Sequence, residues 1–312
     1  MKTETEIKEY INQHDDALIT LKAFQDWNLI SRTFMLNEHS KMIPKLKSGT
    51  EEYIDTPQNM RTFLLSRIYL ELFERLCQSI EDLTTMLYAL QKNLKDFNIN
   101  ITKTQNPKNI LDKLTREKWY EIFHYSSLEE LENSPSEKKI ITDIRKKNFE
   151  SLENLRECLI HFIDVYWVSF TKIKHGNTLV YGVEQTCING VDTIIVPVIY
   201  NSKNKDNQMI IALTDDVYSS WQKLFKVVIM LSKSLMEIAI QHIETGGLEF
   251  IVNETIYFPV SDEERLEIEG ILQKYFKLPI RFEVKTSLAI EITEPTWKKH
   301  FELQKKIHTL LG

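Results

Sequence analysis

At 312 residues, 42% of them hydrophobic and 27% charged, the chain is long enough to bury a core as one large domain or two modest ones. Glycine and proline number only 8 each, which favours long helices and argues against a β-sandwich, a solenoid or a glycine-rich nucleotide-binding fold. A formal charge of −6 argues against a general polyanion binder, while leaving room for a local basic patch.

The N-terminus, MKTETEIKEYINQHDD, is charged throughout and has no apolar run of the kind a signal peptide needs. Residues 3–37 read as helix, with Ile7, Ile11, Leu18, Leu21, Phe24 and Leu29 roughly in period. Pro44, Gly49 and Pro57 then make 43–59 a loop or a short, broken helix. A long amphipathic helix follows over 62–94, broken at 98–107, with short helices over 109–114 and 116–124. An acidic stretch punctuated by Pro135 leads into the helix that organises the chain, 145–176. Its apolar stripe comprises Phe149, Leu152, Leu155, Leu159, Phe162, Ile163, Tyr166, Phe170 and Ile173.

After Gly176 the period changes. TLVYGVEQT and DTIIVPVIY are strand-like runs on either side of Asn189-Gly190, a strong hairpin signal, and QMIIALT is a third strand. Asp215 or Asp216 is expected to cap a helix over 217–244, stopped by Gly246-Gly247. Strand-like pieces over 248–260, a helix over 262–275 with an acidic first turn, a strand or strand pair in IRFEVKTSLAIEIT and a helix over 295–311 complete the chain. The expected class is α+β and predominantly helical. A helical bundle occupies 1–246 with a small antiparallel insertion at about 178–213, and a small α/β region occupies 247–312. The most apolar run, KVVIMLSKSLMEIAI, is too short and too polar to span a bilayer. Cys77, Cys158 and Cys187 are dispersed and odd in number, indicating neither a disulfide framework nor a zinc ribbon and fitting a reducing cytoplasm.

Standard nucleotide, zinc-protease and serine-hydrolase motifs are missing from the sequence, and no cofactor or metal is expected. Two candidate sites fall on the organising helix. In the first, Arg156 could hold a phosphate and His161 could move the proton of a ribose hydroxyl, with Glu157 and Asp164 one turn away on either side. Five residues at ~100° each place Arg156 and His161 about 140° apart, so both reach one phosphate only across a cleft made with another helix or subunit. The plainer reading is a polar helix face. A second spaced pair, Arg32 and His39, shows how readily such spacings arise. In the other candidate, Lys172, Lys174 and His175 meet Gly176 where the helix stops, which ordinary helix-end chemistry also explains. His161 and His175 are roughly 21 Å apart along the helix and cannot share one site.

Three further features have plain readings. Arg281, Glu283 and Lys285, with Asp262 upstream, have the shape of a nuclease strand, but alternate as any half-solvated strand does. Asp15-Asp16 and Asp215-Asp216 read as solvated or capping residues, and Tyr166, Trp167 and Trp221 as core.

The helical bundle, the Arg156-Glu157…His161 spacing and the ending Phe170-Thr-Lys-Ile-Lys-His175-Gly176 resemble the HEPN superfamily of bacterial defence and toxin proteins over about residues 60–245. The motif departs from that pattern, with Glu157 as the polar residue and Phe170 where an arginine would stand in the second alignment. The resemblance implies a cytoplasmic homodimer and metal-independent RNA cleavage, with arginine on the phosphate and histidine in proton transfer. Degenerate motifs of this kind imply instead a catalytically silent scaffold or regulator that binds another protein.

Overall fold

The structure, a computed structural model, describes residues 3–284 and 302, apart from 104, 124, 126–127, 175–177, 181–182, 189, 203–204, 246–251, 257, 259 and 276–279. It is predominantly helical α+β, as expected. Helix α1 (Glu4–Gln13) opens with a reciprocal cap: Thr3 Oγ1 accepts from the Glu6 amide, and the Glu6 carboxylate accepts from the Thr3 amide. The expected single helix over 3–37 is instead divided. His14 Nδ1 donates to the Tyr10 carbonyl at 2.8 Å and its ring stacks on Tyr10, so the backbone leaves helical geometry there. Helix α2 (Asp15–Phe24) starts afresh with Asp15 and Asp16 exposed in its first turn, and a π-helical segment (Gln25–Ile30) precedes α3 (Ser31–Ser48).

Of the stretch 43–59, expected as a loop or a short, broken helix, residues 43–48 continue α3 through Pro44 and the chain breaks only after Ser48. Buried Ile43 and Leu46 anchor this last turn, Lys45 and Lys47 suit its negative end, and Gly49 closes it in the left-handed region at φ 63°. Helices α4 (Gln58–Leu90), α5 (Phe97–Asn100), α6 (Pro107–Asp112), α7 (Arg116–Phe123) and α8 (Pro135–Lys174) follow. Pro135 is the first residue of α8, where a missing N–H leaves no bond unmade, so this helix starts ten residues before the apolar stripe suggested. Within the stripe, every position from Phe149 to Phe170 is buried.

Four strands come next: β1 (Thr178–Val180), β2 (Glu184–Ile188), β3 (Val191–Ser202) and β4 (Lys205–Leu213). The β2–β3 hairpin closes at Ile188↔Val191, with Gly190 at φ 80° supplying the positive φ the tight turn needs. Ile194 pairs with Gln185 of β2 and with Leu213 of β4, and Val198 with Val180 of β1 and Met209 of β4. The long β3 is therefore central, with β1 and β2 sharing one edge and β4 on the other, all antiparallel. Helix α9 (Asp215–Glu244) follows, then β5 (Val252–Ile256), α10 (Asp262–Tyr275) and β6 (Ile280–Val284). β5 and β6 pair in parallel, so α10 is their crossover.

The chain divides into two compact units, the first comprising Met1–Leu29, Glu81–Ile160 and Val227–Thr293, the second Ile30–Ile80, His161–Lys226 and Glu294–Gly312. Helices α4, α8 and α9 contribute residues to both, and the expected boundary after residue 246 falls inside the first unit. In the first unit, Ile141 and Ile144 of α8 form a closed cluster with Ile256 of β5 and Ile268, Ile271 and Leu272 of α10. In the second, Phe73 of α4 meets Phe162 and Tyr166 of α8 and Trp221 of α9, with ring centroids 5.0–6.2 Å apart. Cys77 and Cys158 are buried, as expected of small core residues; burial pushes the Cys158 thiol up to about 12. Among the described residues no helix is long and apolar enough to cross a membrane.

Candidate functional site

Arg156, the residue best suited to hold a phosphate, is engaged within the first unit. Its Nε donates to both carboxylate oxygens of Glu153, at 2.8 and 2.9 Å, and Nη2 also touches that carboxylate. Nη1 donates to the Leu111 carbonyl at 3.3 Å. Leu111 lies in the last turn of α6, and its carbonyl also accepts the Leu114 amide at 3.1 Å. Arg156 thus ties α6 to α8, and the Glu153 contact holds its charge more firmly than usual.

His161 stands on the exposed side of α8, as do Glu157 and Asp164. The helix is continuous through Arg156 and His161, so their ~140° separation about its axis stands. Lys174 is the last residue of α8, and His175 and Gly176 lie outside the described residues, as does Lys285. Tyr166 and Trp221 are core, as expected.

The pair Arg32 and His39 proves less incidental than its spacing suggested. Both reach from α3 to α4 within the second unit: Arg32 Nη1 donates to Ser79 Oγ at 2.9 Å, and His39 Nε2 lies 3.3 Å from Glu71 Oε2. His39 is 7% exposed and its Nδ1 is buried without a hydrogen-bond partner. Burial lowers its pKa, against the opposing pull of Glu71, while Arg75 lowers it further. A cationic ring would bury an N–H with nothing to receive it, so this histidine is kept neutral.

The cluster that sequence reading missed surrounds Asp215. The cap of α9 is Thr214, whose Oγ1 accepts from the Val217 amide at 3.2 Å, rather than either aspartate. Asp215 Oδ1 instead accepts the Tyr69 hydroxyl at 2.8 Å and contacts Lys47 Nζ. Burial would raise the Asp215 carboxyl, but Lys47 and Tyr69 hold it below the usual carboxylate range. Tyr69, 2% exposed, also stacks on Tyr218 at 4.6 Å, and burial raises its hydroxyl pKa. Nearby, Gln185 of β2 accepts from Thr62 at 3.0 Å and Gln58 at 3.3 Å, both on α4. These groups border a cavity of about 210 Å³ within the second unit. No spacing rule links residues 47, 69, 185 and 215; the only sequence signal was the capping pattern at Thr214.

A second cleft, of about 380 Å³, lies in the first unit beside Trp119, Phe149, Arg116 and Lys146. It offers no open stacking surface. Trp119 and Phe149 are both buried, and the Arg116 guanidinium lies over Phe149 at 5.1 Å. No family model, curated protein or solved structure matches this chain.

Proposed function

We propose that this chain is a catalytically silent, HEPN-like helical scaffold or regulator of a bacterial defence or toxin-type system, which works by binding another protein. The observation that carries this reading is the engagement of Arg156. A guanidinium that closes on Glu153 and caps α6 must break a bidentate ion pair and a carbonyl bond before it can hold a phosphate. In this reading Lys174 ends α8 and His161 is a surface residue. The alternative, a metal-independent ribonuclease, draws support from the exposure of His161 with Glu157 and Asp164 on the same helix, an arrangement suited to proton transfer.

The two readings separate in one assay. Purified protein is incubated with tRNA and total RNA, with and without EDTA, beside the His161→Ala and His175→Ala variants. The expected result is intact RNA in every lane. EDTA-resistant cleavage that disappears in either variant would overturn the proposal and identify the histidine.

A further inference from the structure

The cavity of the second unit has a chemical bias that none of the residues discussed for RNA shares. Its floor is apolar: Leu46 of α3, Leu65 of α4, Ile194 of β3 and Leu213 of β4 are all buried and all line it. Its charged rim is one cation, Lys47, against two carboxylates, Asp192 and Asp215. Lys47 and Asp215 neutralise each other. The Asp192 carboxylate, at the start of β3, has no hydrogen bond or ion pair among the described residues, so its charge is the one left over.

The hydrogen-bonding groups carry the same bias. Both contacts to Asp215 fall on Oδ1, leaving Oδ2 as an acceptor. The Tyr69 hydroxyl proton is directed to Asp215, so its oxygen presents lone pairs. Gln185 already accepts two donors through Oε1, so it adds its amide nitrogen as a donor at the rim, beside the Lys47 ammonium and the Gln58 amide. The positive end of α9 is answered by Asp215 and Asp216 in its own first turn, so it does not call for an anion. What remains is a small apolar well whose lining carries one net negative charge. Its volume of about 210 Å³ suits a short alkyl chain with one polar head group.

We propose that this cavity binds a small aliphatic ammonium ion, its alkyl stem on the floor of Leu46, Leu65, Ile194 and Leu213 and its ammonium at Asp192 and Asp215. Recognition needs both parts: burial of the stem supplies the driving force, and the charge-assisted hydrogen bonds select the head group. The site involves neither Arg156 nor His161, so it stands whichever way the RNA assay falls.

The test holds the stem constant and changes the head. n-Butylamine, n-butanol and butyrate are titrated into the full chain at pH 7.5 and matched ionic strength, with binding read by saturation-transfer NMR and calorimetry. n-Butylamine is expected to bind roughly tenfold or more tighter than n-butanol, in keeping with a hydrogen bond to a charged group, and butyrate not at all. Asp192→Asn, isosteric and at an exposed position, should weaken n-butylamine about tenfold and leave n-butanol unchanged. Glu184→Gln, the carboxylate next to Gln185 but on the other face of β2, should change neither. Equal binding of the three probes, no binding of the amine, or an amine affinity indifferent to Asp192→Asn would each overturn the proposal.

Discussion

Arg156 in the first unit and Asp215 in the second are both charged groups held by two partners, yet only Arg156 stood out in the sequence as a candidate for chemistry. Arg156 reaches Glu153, three residues back on the same helix, and one backbone carbonyl. Its ion pair is local to one helix, and its second bond reaches the neighbouring α6. Asp215 reaches Lys47 and Tyr69, which come from two other helices. These groups, with Gln185 of β2, border a cavity. The difference teaches that the conspicuous arginine is a strut, whereas the inconspicuous aspartate marks the opening.

The strongest way to break this comparison is to remove what positions Tyr69. Phe73 is one helical turn after Tyr69 on α4 and packs on Tyr166 and Trp221. Phe73→Ala leaves a void in that aromatic cluster and should cost about 3–5 kcal/mol in urea unfolding. If the Asp215 network depends on this support, n-butylamine binding in the folded variant falls as well. Unchanged binding would show that the pocket is held by the sheet side alone.

A second test uses protons. Arg156 does not titrate in any accessible range, whereas His39 does. The unfolded histidine takes up a proton near its ordinary value of 6.5, and the folded one only at lower pH because of its burial. Acidification through that window therefore favours the unfolded chain, and stability present above pH 6.5 is lost as pH falls toward the folded pKa. In His39→Gln the slope of stability just below pH 6.5 should flatten, as followed by urea midpoints. A slope identical to that of the parent would remove His39 from the acid response.

The parts of the fold legible in the sequence were those set by short-range periodicity. The stripe from Phe149 to Phe170 is buried, and the hairpin at Gly190 closes in the register its turn demands. Errors arose where a side chain overrode a local rule. His14 bonds back to Tyr10 and divides a helix whose apolar period runs on unbroken, and buried Ile43 and Leu46 carry α3 through a proline that normally ends helices. The candidate site was illegible for a related reason. Nothing in the neighbourhood of Lys47, Tyr69 or Asp215 in the chain differs from an ordinary surface lysine, core tyrosine or helix-start aspartate; tertiary packing alone joins them.

A smaller effect is expected from Tyr69→Phe, which removes one hydrogen bond to Asp215 and keeps the ring stacked on Tyr218. The cost in urea unfolding should be about 1 kcal/mol at neutral pH. It should also shrink on acidification. The folded Asp215 carboxyl lies below its unfolded value, so the stability it contributes is present above the unfolded pKa, near 3.9, and lost as pH falls through the folded one. A variant whose deficit is the same at neutral pH and below pH 3 would show that the hydroxyl does not act through the carboxylate.

The smallest effect belongs to Arg156. Glu153 is partly exposed, so solvent screens the ion pair, and pairs of this local kind contribute about 0.3–0.5 kcal/mol. The Leu111 carbonyl adds a single bond at 3.3 Å. Arg156→Gln should therefore lower stability by roughly 0.5–1 kcal/mol, with hydrogen exchange rising most at the end of α6, where the Leu111 carbonyl loses one of its donors and keeps the Leu114 amide. Glu153→Gln should weaken the same contact without exposing α6, because Nη1 still reaches Leu111. If instead Arg156→Gln left exchange in α6 unaltered and changed the fate of RNA, the arginine would be free for a ligand, and its likeness to Asp215 as a residue at a functional opening would be restored.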